Sequence, residues 1–219
     1  MQPICLSFDN GPEPATTPQV LEVLARRGIR ANFFPIGSKL RDLDRRVLTE
    51  RTLAEGHRIG NHTLHHGTPL GRRGAAEAVA EISGAEALLA PLNRERLFRP
   101  NGGDGQIGPH LLNRAALAHL MAGGYSIVLW NAVPRDWDDA DGWPARALAA
   151  VRQAEVPVLM VLHDLLPSAM AHLDRVLGTL SDEGAAFTQE MPAACLPLIA
   201  GRPTPGFDLT TICQEEIAT

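Results

Sequence analysis

The chain has 219 residues, of which 45% are hydrophobic, and this size and composition can close one large core. Its formal charge of −5 and isoelectric point near 5.9 give no basic patch for nucleic acid or anionic lipid. No segment reaches the roughly 18 apolar residues of a membrane span, and the start MQPICLSFD lacks the pattern of an export signal. We therefore expect one cytoplasmic domain with no nucleic-acid or membrane partner; the sequence predicts no particular oligomeric state.

Apolar strands and amphipathic helices alternate along the chain. The predicted strands lie at 4–8, 29–36, 57–60, 96–98, 125–130, 157–162 and 185–188. The predicted helices lie at about 18–27, 43–54, 74–89, 109–121, 143–152 and 168–180. Such alternation is typical of parallel strands with crossover helices, in either a closed barrel or an open doubly wound sheet.

The positions of the polar motifs favour the barrel. An open sheet would gather functional residues at one switch point, whereas a β/α barrel carries them after many of its strands. Five polar residues follow the ends of different strands: Asp9, His62, Arg99, Asp136 and His163. From residue 191 onward, a stretch rich in Pro and Gly indicates a tail, 191–219, that is not a separate domain and either wraps the barrel or is partly disordered.

The segment HTLHH contains a candidate metal pair. His62 and His66 are four residues apart, which on a helical turn would place both imidazoles on one face. Two unrelated surface histidines would give the same spacing. His65 would point about 100° away from His66 on a helix, so we interpret it as a bystander.

Hydrolysis of an amide at a metal needs a base to take a proton from the bound water, a Lewis acid to polarise the carbonyl and an acid to protonate the departing amine. Asp9 is the candidate base, and Arg99 is either its partner or part of a surface ion pair. His163 is the candidate acid because a nearby carboxylate such as Asp136 would raise its pKa. The alternative is that His163 only caps the end of its strand.

The remaining candidates would bind substrate. Backbone N–H groups in the glycine-rich turn 101–103 could stabilise an oxyanion. Among the three tryptophans we favour Trp137 as a wall for a sugar face or an acyl methyl group, with Leu162 as a second wall.

The motifs SFDNGP, HTLHH, FRPNGG, RDW and LHD, in this order, resemble those of the polysaccharide deacetylases, carbohydrate esterases with a NodB-like domain. The resemblance covers about residues 4–188. Members of that family remove N-acetyl groups from chitin, chitooligosaccharides or peptidoglycan sugars. The resemblance implies that residues 1–190 form a NodB-like domain of α/β class, a distorted and incompletely closed (β/α)7 barrel of the TIM type.

The resemblance also assigns roles to individual residues. Asp9 matches the base in the family's F-D-D-G-P motif, and Arg99 matches the arginine that orients it. His62 and His66 match the two metal-binding histidines of H-[ST]-x-x-H. The later motifs of the family supply an oxyanion donor, an Asp-Trp pair and the end of the strand that carries the acid. Gly102 matches the oxyanion donor, and Asp136 and Trp137 match the pair. Leu162, His163 and Asp164 match the end of the strand.

Asn10 departs from the family pattern, because it stands where the second Asp of F-D-D-G-P would bind metal. The resemblance implies a divalent metal, with zinc preferred over cobalt or nickel. A carboxamide oxygen neutralises no cation charge, so we expect weaker binding. In the third motif, Asn101 and Gly102 replace the usual Pro and Tyr.

Three functions fit these observations. The first is metal-dependent deacetylation of an N-acetylated amino sugar, with a small molecule or an oligosaccharide as substrate. The second is metal-independent hydrolysis of a cyclic amide such as a ureide or imide, with Asn10 bonded to substrate. The third is a non-catalytic carbohydrate-binding barrel, although binding alone does not require both a base and an acid.

Overall fold

The structure is a computed structural model and describes residues 1–214. Its parallel barrel strands are β1 (Ile4–Asp9), β2 (Asn32–Phe34), β3 (Arg58–Ile59), β4 (Leu97–Phe98), β6 (Ser126–Ile127), β7 (Val158–His163) and β8 (Phe187–Thr188). The other strands are β5 (Leu112–Asn113), β9 (Leu198–Ile199), β10 (Arg202–Pro203) and β11 (Cys213–Gln214). The helices are α1 (Thr17–Arg26), α2 (Leu43–Ala54), α3 (Ala75–Leu89), α4 (Arg114–Ala122), α5 (Trp143–Arg152), α6 (Pro167–Met170) and α7 (Leu173–Asp182).

The parallel strands curl into a ring that is only partly closed. β1 pairs in parallel with β2, β7 and β8, and β2 pairs with β3. β4 and β6 form a separate parallel pair. Isolated bridges, Asn61 to Phe98 and Ala132 to Met160, join the segments of this pair to the rest of the ring. The predicted distorted, incompletely closed (β/α)7 barrel is confirmed.

Alternate residues of β1 and β7 face opposite sides of the sheet, as the pleat of a strand requires. The even-numbered residues Leu6, Phe8 and Leu162 belong to the apolar cluster under helices α1, α5 and α7. The odd-numbered residues of β7 turn the other way, into the second cluster. Asp9 and His163 are paired in register and both belong to this inward set. This alternation therefore places the side chains at the carboxyl ends of β1 and β7 in the same interior of the barrel.

Three segments differ from the predicted elements. The helix predicted from residue 109 begins at Arg114, because the Asn113 side chain accepts the Ala116 N–H at 2.8 Å and caps it there. The helix predicted at 168–180 is divided into α6 and α7. The described part of the predicted tail carries β9, which pairs antiparallel with β6 at Leu198. Residues 215–219 of that tail lie outside the described residues.

In the described range, 1–214, no helix combines the length and the apolar character that a membrane crossing demands.

Candidate active site

A cavity of about 160 Å³ opens at the carboxyl ends of the barrel strands. It brings together seven of the residues that the sequence predicted for the site: Asp9, Asn10, His62, His66, Gly102, Trp137 and His163. Two more, Arg99 and Asp136, lie directly behind the lining and hold Asp9 and His163.

Arg99 is completely buried and holds the Asp9 carboxylate. Its Nη1 donates to Asp9 Oδ1 and to Ser7 Oγ, both at 2.7 Å, while its other nitrogens donate to the backbone carbonyls of Val128 and Leu129, which follow β6. Burial alone would raise the pKa of Asp9, but the adjacent charge of Arg99 outweighs it, so the pKa is lowered. Asp9 is therefore a carboxylate at neutral pH, and the pair is not a surface ion pair.

His163, the residue of β7 that is paired with Asp9, is fixed by Asp136. The imidazole Nδ1–H donates to Asp136 Oδ1 at 3.0 Å, and the backbone N–H of His163 donates to Oδ2 at 2.7 Å. Burial acts to lower the pKa of His163, but the hydrogen bond and charge of Asp136 prevail, so the pKa is raised. The side chain thus does more than cap its strand, and Nε2 is left facing the remaining site with no partner among residues 1–214.

His62 and His66 line the same cavity, with ring centroids 4.8 Å apart. The Nδ1–H of His62 donates to the Arg99 carbonyl at 2.8 Å, which leaves the Nε2 lone pair free at 3.6 Å from Asp9 Oδ2. Burial lowers the pKa of both imidazoles, that of His62 to about 3. Both rings are therefore neutral at pH 7, the form that can bind a metal ion.

The predicted helical turn at 62–66 is wrong. Thr63 and His66 have left-handed backbone conformations, with φ of 66° and 52°. The turn is held by side chains instead: Asn61 Oδ1 accepts the Thr63 N–H at 2.9 Å, and Thr63 Oγ1 accepts the His66 N–H at 3.1 Å. His65 points away from the cavity and bonds to Glu81 at 2.8 Å, so its predicted position off the site agrees with the structure for a different reason.

The donors around the two imidazoles fit a divalent metal. Asn10 Oδ1 is buried and has no hydrogen-bond partner, as expected of an oxygen that would bind a cation. Its backbone is left-handed, with φ of 72°, a conformation that Asn tolerates better than most residues. If only His, Cys, Asp and Glu are considered, residues 1–214 hold no group of three for a metal, because the third donor here is an amide.

The glycine-rich turn after β4 forms another wall. A side chain at Gly102 would meet the Trp130 ring at 2.6 Å, so only glycine fits between the turn and that indole. The N–H of Gly102 has no acceptor within the described chain, and Gly102 lines the cavity. Trp137 lies opposite, with its ring 4.7 Å from that of His163 in an edge-on arrangement.

This arrangement can be compared with known proteins. The family model described as polysaccharide deacetylase matches residues 1–122. The chain belongs to the polysaccharide deacetylase family. It is 31% identical over 216 residues to a chitooligosaccharide deacetylase of Sinorhizobium fredii, a match that covers 97% of this chain and 91% of that protein.

Two further relatives agree with this membership. A peptidoglycan-N-acetylglucosamine deacetylase of Bacillus cereus is 31% identical over 192 residues, 84% of each chain. The structure of the peptidoglycan deacetylase PdaC from Bacillus subtilis superposes with a TM-score of 0.68 and 27% identity over 85% of this chain and 86% of that one. The predicted enzyme class is confirmed: this deacetylase-family chain is a hydrolase of carbon–nitrogen amide bonds other than peptide bonds, and such enzymes are in general metal-dependent.

Leu162 does not lie where the sequence analysis placed it. It is buried in the apolar cluster beneath the helices, and its neighbour Val161 lines the cavity instead. The reason is the alternation of β7, in which His163 and Val161 share the inward face and Leu162 has the outward one. Extending that alternation back from His163 would have identified Val161.

Sequence reasoning also missed Trp130 and Asp104, and it matched Asp164 to a motif without giving it a role. Trp130 and Asp104 line the cavity. Asp164 lies behind it, with its carboxyl against Gly11, where an added Cβ would come within 2.2 Å of both oxygens. The signal that could have identified Asp164 was its position directly after the predicted acid, His163. Asp104 belongs to no motif.

Proposed function

We propose that this deacetylase-family enzyme removes acetyl groups from N-acetylated amino sugars in an oligosaccharide, with a divalent metal bound. One observation carries the proposal. A carboxylate held by a buried arginine and an imidazole held by a carboxylate face the same cavity, which two neutral imidazoles and an unpaired amide oxygen also line. The names of the curated relatives point to the same substrates, chitooligosaccharide and peptidoglycan amino sugars.

Asp9 takes the role of the base. The Arg99 contact lowers its pKa and leaves Oδ2 available to accept a proton from a water molecule at the site. Because Arg99 is itself held by three acceptors besides Asp9, the carboxylate keeps one orientation through the reaction.

His163 takes the role of the acid that protonates the departing amine. Asp136 fixes the proton on Nδ1 and favours the charged ring, so Nε2 carries a second proton that can be donated into the cavity. Base and acid are thus each held by a partner of opposite charge, an arrangement that allows both to hold their working protonation state at one pH.

His62, His66 and Asn10 would hold the metal, which in the family's chemistry polarises the amide carbonyl and lowers the pKa of a water ligand. The hydrogen bond from His62 to the Arg99 carbonyl fixes the orientation of that ring. Because Gly102 and Trp137 both line the cavity, we assign the N–H of Gly102 as the donor to the oxyanion and Trp137 as the contact for the acetyl methyl group.

The test is paired measurement of metal binding and acetate release. Dialysed protein should bind zinc in calorimetry, and zinc-loaded protein should release acetate from N-acetylglucosamine oligomers. The double variant His62→Ala, His66→Ala should lose both, whereas His65→Ala, a histidine outside the cavity, should keep both. Full turnover by metal-free protein would contradict the metal-dependent mechanism.

A second candidate function rests on the same amide. The unpaired Oδ1 of Asn10 could accept an N–H of a cyclic ureide or imide in place of binding a cation. Ring opening of such a compound that persists with a chelator present, and that falls in Asn10→Ala, would favour this function over deacetylation.

A further inference from the structure

The turn that follows Gly102 presents one acidic side chain to the cavity. Gly103, Asp104 and Gly105 are consecutive left-handed residues, with φ of 54°, 51° and 75°. Two side chains hold the carbonyls on either side: His110 Nε2–H donates to Gly102 O at 2.9 Å, and Trp130 Nε1–H donates to Gly105 O at 2.8 Å. The backbone of Asp104 is thereby fixed at the rim.

The Asp104 carboxylate lines the cavity and is exposed. Within residues 1–214 it makes no hydrogen bond or ion pair, although its backbone carbonyl accepts from Arg135 at 3.5 Å. The Arg135 charge is already engaged, because its Nη2 pairs with Asp138 at 3.1 Å. A substrate therefore meets an uncompensated negative charge at this wall.

No side chain of the lining pairs with that charge. None of the cavity-lining residues, all in the described part of the chain, is Lys or Arg. The other lining carboxylate, Asp9, is paired with the buried Arg99 behind it, and the His163 imidazole is paired with Asp136. Asp104 is therefore the one carboxylate of this lining without a side-chain partner, and it adds a negative charge to its own wall of the site whether or not a metal is bound.

We propose that Asp104 determines specificity by selecting neutral amino sugars over amino sugars that carry a carboxylate, such as those with a lactyl ether. This inference rests on the proposed deacetylation and deepens it by naming the substrate class. Sugar hydroxyls can donate to the free carboxylate oxygens, which have no other partner. A substrate carboxylate at the same wall would instead be repelled. Repulsion between two exposed like charges about 4 Å apart corresponds to a change of roughly three- to tenfold in an equilibrium constant.

The test uses two substrates that differ in charge alone. One is an oligomer of N-acetylglucosamine and N-acetylmuramic acid without peptides, and the other is the same oligomer with every lactyl carboxyl capped as a neutral methylamide. The ratio of their kcat/KM values is measured for the wild type, for Asp104→Asn and for Asp182→Asn. The last variant removes the same charge from an exposed helix end that does not line the cavity.

The wild type should prefer the capped oligomer. Asp104→Asn should reduce that preference roughly three- to tenfold, Asp182→Asn should leave it unchanged, and 1 M salt should shrink it in the wild type by screening. An equal ratio in the wild type and Asp104→Asn, or a wild-type preference for the carboxylate, would overturn the proposal.

A binding measurement separates this proposal from the deacetylation itself. Calorimetry on the zinc-loaded protein compares the affinities of the two oligomers without any need for turnover. Absence of acetate release together with a charge preference that Asp104→Asn removes would refute the proposed deacetylation and support the role of Asp104. Absence of any such binding preference would refute the role of Asp104, whatever the turnover.

Discussion

Asp9 and Asp164 are buried carboxyl groups at the ends of paired strands, yet their surroundings shift their pKa values in opposite directions. Asp9 ends β1 and accepts from the fully buried Arg99, and its pKa is lowered. Asp164 follows β7, accepts from the Thr17 hydroxyl, and has a second oxygen without a partner. Burial raises the pKa of Asp164 to about 6.

The difference shows that burial does not decide whether a carboxyl group is charged. Burial acts to raise the pKa of both groups, and a cation in contact reverses the effect at Asp9 alone. Asp9 is therefore suited to be a base at neutral pH. Asp164, packed against Gly11 in the segment that carries Asn10, is suited to hold the wall of the site in place.

The largest expected effect comes from removing the charge of Asp9. Asp9→Asn should lower kcat for acetate release by roughly 10²- to 10⁴-fold, the usual contribution of a general base. Asp164→Asn, the matched substitution on the neighbouring strand, should retain kcat within about tenfold of the wild type. If the two variants lose turnover equally, the division between a base and a structural carboxyl group is wrong.

Asp136→Asn should have the next largest effect, because Asp136 holds the proposed acid, His163. His163 can donate a proton only below its pKa, which is raised, so kcat/KM of the wild type should fall as the pH rises through that pKa. Without the Asp136 charge, burial should lower the pKa of His163, and the fall should begin at lower pH. We expect a loss of roughly ten- to hundredfold at neutral pH. A pH profile with an unmoved alkaline limb would argue against His163 as the acid.

Asn10→Asp should strengthen metal binding. A carboxylate would neutralise part of the cation charge that the Asn10 amide leaves untouched, so the zinc Kd should fall by at least about tenfold. Calorimetry on dialysed protein measures this change independently of turnover, with Asn131→Asp, an exposed position outside the cavity, as the control. An unchanged Kd would show that residue 10 is not a ligand.

The smallest expected effect is on stability at Asp164. Its pKa is raised on folding, so its stabilising contribution is complete below its ordinary pKa of 3.8 and is lost as the pH rises through about 6. Between pH 5 and pH 7.5 the wild type should lose about 1.4 kcal/mol more of its free energy of unfolding than Asp164→Asn, so its Tm should fall by roughly 4 °C more. Parallel Tm curves for the two proteins would contradict the raised pKa.

The sequence predicted the order of the barrel strands because buried parallel strands leave continuous apolar runs between turn residues, although β2 and β6 are shorter than predicted. β7 is an example, since its predicted range, 157–162, differs by one residue at each end from the observed strand. The same run did not reveal which residues face the cavity, and Leu162 was assigned to the wrong face. A wholly apolar strand carries no polar alternation that would mark its inner side.

The chemistry of the site was readable from residue types, but its geometry was not. The spacing of His62 and His66 predicted a pair, whereas two left-handed residues, not a helix, bring the rings together. The partner of Asp164, Thr17, is 147 residues away along the chain. No local pattern records a contact of that kind.

By itself, the sequence determined the alternation of strands and helices and the set of acidic, imidazole and amide groups at strand ends, because periodicity and residue chemistry are local properties. The tertiary structure alone decided which of these groups are charged. The pKa of Asp9, His163 and Asp164 depends on burial and on partners contributed by other strands and loops. Those distances exist only once the barrel has formed.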